Sequence, residues 1–160
     1  MENINIEIVM EDDRVISLEL YPEIAPVTVK NFVKLINENF FEGLIFHRVI
    51  CGFMIQGGGL YPNGSQKKAD SIYGEFASNG FENNLKHTRG VISMARTMIP
   101  DSASSQFFIM HEDAPHLDGQ YAAFGKVTSG MDVVDSIVET KVDFSDRPLF
   151  DYTIKTIKMA

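Results

Sequence analysis

No second cysteine accompanies Cys51 anywhere in the 160 residues. An internal disulfide is therefore excluded, and a reducing compartment, the cytoplasm, is the expected setting. Cations are also scarce: 14 Lys and Arg against 22 Asp and Glu give a formal charge of −8. That balance argues against nucleic acid and anionic membranes, partners that reward basic patches. No apolar run approaches the roughly 20 residues of a membrane-spanning helix. The opening MENINIEIVM carries acidic residues where a secretory signal has a basic flank. Internal repeats, linkers and low-complexity tracts are absent too. The length suits one domain, residues 1–160, that buries roughly two-thirds of its unfolded surface, and a soluble monomer is expected.

What is present is alternation. Residues 4–10 and 15–20 alternate or cluster apolar and β-branched side chains around the polar turn Glu11, Asp12, Asp13 and Arg14, which predicts a hairpin. Val29, Phe32, Val33, Ile36 and Phe40 recur at spacings of three and four, the stripe of a helix that starts at Pro26 and ends near Asn39. Residues 44–56 predict two short strands. Residues 57–78 predict a long surface loop, of a length uncommon unless it does something or is pinned down. After a turn at 78–80, strands are expected at 91–95, 106–110 and 122–127, with loops at 96–105 and 112–120. Met131, Val134, Ile137 and Val138 mark a shorter helix, and residues 152–159 a last strand. About eight strands in hairpin order with two helices predict a mainly β fold, an eight-stranded antiparallel β-barrel capped by two α-helices.

The chemistry-bearing stretch is residues 46–59, FHRVICGFMIQGGG. Arg48 is a lone cation in apolar sequence, and strand alternation puts Met54 and Gln56 on one face. A charged donor, an amide and soft apolar surface suit a pocket that grips a neutral, partly apolar ligand and polarises a carbonyl. A structural Arg paired with a carboxylate fits the same spacing, and the residues alone leave both readings open. Gly57, Gly58 and Gly59 lack the Lys-Ser/Thr and the helix start of a phosphate loop, so a bend at a strand end is expected. His111 and His116, five apart with Pro115 between, supply no closed metal shell. Cys51 with His47 or His116 as base would make a hydrolase, but no oxyanion-hole motif accompanies it.

FHRVICGFMIQGG, followed by GEFASNGFENNLKHTRGVISMA, SSQFFIM, LDGQYAAFGKV and DRPL, resembles a cyclophilin, most closely the compact single-domain cyclophilins of bacteria. The match spans nearly the whole chain with its motifs in order. The resemblance implies cis–trans isomerisation of X-Pro bonds in proline-containing peptides and in unfolded or folding proteins, with no cofactor and no metal. It implies Arg48, Gln56 and Phe53 as catalytic residues, and Met54, Ala95, Arg96, Gln106, Phe108, His116, Leu117 and Tyr121 as the substrate groove. Arg96 stands where Asn is usual, His116 where Trp is usual and Tyr121 where His is usual. A cation at position 96 predicts a modest preference for acidic peptides, and the missing Trp predicts weak cyclosporin binding. A peptide-binding module without turnover is the competing class, and retention of Arg48 separates the two.

Overall fold

The computed structural model describes residues 2–160. Strand β1, Ile4–Met10, pairs antiparallel with β2, Val15–Leu20, setting Ile6 opposite Leu18 and Ile8 opposite Ile16. Ile6, Ile8 and Met10 of β1 and Ile16, Leu18 and Leu20 of β2 are buried, so the alternation seen in the sequence is the inward face of a sheet. Helix α1 covers Pro26–Asn37 and buries Val29, Phe32, Leu35 and Ile36. It stops two residues short of Asn39, which takes a left-handed φ of 56° just beyond the end. Phe32 meets the rings of Phe41, Phe124 and Phe107 at 4.9, 5.1 and 5.4 Å.

The remaining strands are β3 (Arg48–Ile50), β4 (Met54–Gly57), β5 (Val91–Met94), β6 (Phe107–Met110), β7 (Ala123–Ser129) and β8 (Ile154–Met159). Helix α2, Met131–Val138, buries Val133, Val134, Ile137 and Val138 in the same interior cluster that α1 enters. The predicted turn at 78–80 overlaps one short 3-10 turn, Ala77–Asn79, and the loop at 112–120 contains another, Pro115–Leu117.

The eight strands form one antiparallel sheet in the order β3-β4-β6-β5-β7-β2-β1-β8. The expected hairpin order holds for β1–β2, β3–β4 and β5–β6 but not for the other four neighbours, because the long segments between hairpins carry the chain across the sheet. The sheet curls on itself. Residues 43–46, leading into β3, bond to the start of β8: Gly43 N–H donates to the Ile154 carbonyl (2.9 Å), Ile154 N–H to that of Leu44 (2.8 Å) and Phe46 N–H to that of Tyr152 (3.0 Å).

The long 57–78 loop is pinned at its far end. Glu75, fully buried, accepts from Thr28 N–H and Thr28 Oγ1 at 2.7 Å each and from Val27 N–H at 3.2 Å. Ala25, which precedes α1, has no side chain able to do this. A carboxylate 47 residues downstream thus satisfies the open N–H groups of the first helical turn and complements the helix dipole there.

Candidate active site

The outer face of β3, β4, β6 and β5 carries a row of side chains. Pairing sets Arg48 opposite Gln56, Gln56 opposite Phe108, and Phe108 opposite Ser93. Alternation sends Ile55, Phe107 and Ile109 into the interior and leaves Met54, Phe108 and Met110 in a second apolar cluster outside. Phe53, Ala95, Leu117 and Tyr121 join that second cluster. Its upper surface is a pocket of about 130 Å³ lined by Arg48, Phe53, Met54, Gln56, Ala95, Arg96, Phe108, Leu117 and Tyr121.

Two of the expected groove residues border that pocket without lining it. Gln106 lines an adjoining polar pocket with Gln66, Thr97, Ser102 and Ser104, against the shared wall of Gln56, Ala95 and Arg96. His116 is exposed, with its ring against that of Phe53 at 5.9 Å.

Arg48 is exposed, and among the described residues no carboxylate pairs with it. Its Nη1 makes one long contact to Gln56 Oε1 (3.5 Å), and Gln56 Nε2 donates to Gln106 Oε1 (3.1 Å). A permanent charge therefore stands at the rim of an apolar surface, aimed by an amide chain. Gly59 makes room for that chain, since a Cβ there would lie 2.4 Å from Gln106 Cγ. Gly58, at φ +89°, turns the backbone so that its carbonyl accepts from Ser105 Oγ (2.8 Å). The glycine run is a bend beside the groove.

Under Phe108 lies a polar chain that sequence reasoning missed. The His87 ring stacks parallel to Phe108 at 6.0 Å; its Nδ1 is 3.1 Å from Asp118 Oδ1 and its Nε2 2.9 Å from Ser93 Oγ. Burial lowers the His87 pKa against the opposing pull of Asp118. The neutral ring then donates from Nδ1 to the carboxylate and accepts the Ser93 hydroxyl at Nε2. The residue types are those of a hydrolytic triad, but Ser93 is 0% exposed. No substrate reaches it, and the chain serves as the floor that sets Phe108. The one available signal is a hydroxyl within the apolar run VISM.

His47, beside Arg48, is perturbed more strongly: burial first, then the charges of Arg147 and Arg48, push its pKa down to about 4. His111 Nδ1 accepts from Gly52 N–H (2.9 Å), fixing the β3–β4 turn, while Nε2 faces Asp135 Oδ1 at 3.4 Å. Cys51 is exposed on that turn, and among the described residues no histidine hydrogen-bonds to it, so the hydrolase geometry is not assembled. Arg96 is folded onto the protein. Its Nε and Nη2 donate to the Gln120 carbonyl (3.1 and 2.6 Å), and its Nη1 donates to that of Thr97 (2.9 Å).

The family model for cyclophilin type peptidyl-prolyl cis-trans isomerases matches residues 5–159. A peptidyl-prolyl cis-trans isomerase of Acinetobacter baylyi is 50% identical over 127 residues, covering 76% of this chain and 65% of that protein. Peptidyl-prolyl cis-trans isomerase B of Bacillus subtilis is 48% identical over 123 residues, covering 77% and 82%. Among solved structures, a Cryptosporidium parvum cyclophilin type isomerase superposes with a TM-score of 0.85 at 28% identity, over 99% of this chain and 98% of that one. The same parasite protein has a structure in the presence of the dipeptide Ala-Pro, with a TM-score of 0.83, 29% identity and 98% of each chain covered. The architecture, the outer groove and these matches agree, and the chain belongs to the cyclophilin-type peptidyl-prolyl cis-trans isomerase family.

Proposed function

We propose that this chain is a peptidyl-prolyl cis–trans isomerase that turns X-Pro bonds in proline-containing peptides and in unfolded or folding proteins. It assists folding as one monomeric catalytic unit, residues 1–160, in the cytoplasm. The observation that carries the reading is the Arg48 guanidinium, free of any carboxylate among the described residues, at the rim of an apolar surface. The structure of the Cryptosporidium relative in the presence of the dipeptide Ala-Pro supports proline peptides as the ligand class.

An X-Pro bond rotates over a barrier of about 20 kcal/mol, most of it amide conjugation. Rotation takes the nitrogen lone pair out of conjugation. A cation close to that nitrogen stabilises the localised pair, which exists only near the transition state, so the effect enters the rate and not ground-state affinity. Phe53, Met54, Phe108, Leu117 and Tyr121 hold the pyrrolidine ring and keep water from screening the charge. Gln56 aims Arg48 and offers its amide to the peptide backbone. No covalent bond is made or broken, so neither acid, base, metal nor cofactor enters the scheme.

Arg48→Ala should lower kcat/KM by two to three decades, about 3 to 4 kcal/mol, with little change in melting temperature because the side chain is exposed. Arg48→Lys should not restore it, since a point charge on a flexible stem lacks the planar fork. Peptide exchange by NMR measures rate and affinity together. An Arg48→Ala protein that keeps most of its activity overturns the mechanism; a wild-type chain that binds peptide without accelerating exchange is a binding module.

A further inference from the structure

We infer that Arg96 is a positioning residue, a clasp that sets the wall between the two pockets, and not an ion-pairing site for acidic substrates. Three of its N–H groups are taken by the carbonyls of Gln120 and Thr97. Its guanidinium carbon lies over two rings at once, 4.6 Å from the Phe76 centroid and 4.7 Å from that of Tyr121. Phe76 is buried in the interior cluster, whereas Tyr121 belongs to the outer one. The plane of Arg96 therefore ties a fixed ring to the groove ring. Tyr121 in turn meets Phe108 edge-on at 5.6 Å. The bond to the Gln120 carbonyl holds the chain just after Leu117, so one side chain governs two lining residues.

Arg96 lines both pockets, yet the fork of Nε and Nη2 that could grip a substrate carboxylate side-on is taken by the Gln120 carbonyl, and another of its five N–H groups by that of Thr97. An apolar wall grips the pyrrolidine ring equally in the ground and transition states. Loosening it raises KM and leaves kcat nearly intact. Lysine cannot substitute, because it has no plane to lie on two rings and no fork to reach the Gln120 carbonyl from two nitrogens.

The inference rests on the groove being the substrate site, and its test can fail separately from that reading. Two proline peptides that differ only in an acidic or a basic residue upstream of the proline are compared at low salt with wild type, Arg96→Gln and Arg96→Lys. Both variants should raise KM about fivefold to tenfold for both peptides, with kcat within about twofold and the acidic-to-basic ratio unchanged. A second route uses Tyr121→Leu, which attacks the wall from its other side. The double variant Arg96→Gln with Tyr121→Leu should be no worse than the poorer single one. An unchanged KM, a loss confined to the acidic peptide, rescue by lysine, or additive effects in the double variant would each overturn the clasp. Peptide affinity and turnover left unchanged by Tyr121→Leu and Arg48→Ala alike would instead overturn the groove as the substrate site.

Discussion

His47 shows how much a neighbour of the groove cation is constrained. Its Nδ1 is buried without a hydrogen-bond partner among the described residues, and its pKa is pushed from 6.5 down to about 4, burial being the largest cause. Between those values the unfolded chain binds a proton that the folded chain refuses, so stability rises with pH across the window. The contribution is fully present above 6.5 and is lost as pH falls through about 4. His87 acts in the same direction, again chiefly through burial. The urea midpoint should therefore fall on acidification from pH 7 to 4.5, and fall less in His47→Gln; equal losses in both proteins would remove His47 from the account. Arg48 is legible in the sequence because a lone cation in apolar surroundings is unusual. The chain from Asp118 through His87 to Ser93 is not, because its members are 31 and 6 residues apart and polar residues in loops are ordinarily solvated.

Among the elements, the hairpins and both helices are legible because periods of 2 and 3.6 follow from backbone geometry alone. The anchoring of the 57–78 loop is not, since its partner is the start of a helix far upstream in the chain. Glu75→Ala would leave the Val27 and Thr28 N–H groups and the Thr28 hydroxyl without their acceptor. A loss of about 1 to 3 kcal/mol is expected, with hydrogen exchange quickening both in the first turn of α1 and around residues 72–83. Glu75→Gln keeps an acceptor oxygen and should cost less. Faster exchange confined to α1 would show that the loop is held by its other contacts, such as Ile72 N–H on the Ala103 carbonyl (2.8 Å).

For the whole molecule, the eight strands and three hairpin pairings are readable from the sequence, but the other four pairings are not. Alternation decides which face a side chain takes and is silent about which strand lies beside it. The same limit hides the two pockets, whose shared wall joins Gln56 of β4 to Ala95 and Arg96 just beyond the end of β5.

Strand β8 has β1 on one side and residues 43–46 on the other. A ribosome delivers that strand after all its partners, so the growing chain holds seven strands around an interior still open along one seam. The segment that leads into Arg48 is one lip of that seam, and the groove cation waits for the last strand before it has a fixed frame. A nascent chain arrested at residue 150 should stain with a hydrophobic dye, be cut by protease near residues 43–60 and leave proline peptides unturned. The same chain, released past residue 160 on a flexible tether, should close and turn them over. Turnover by the shorter chain would mean that the seam can stay open at no cost to the site.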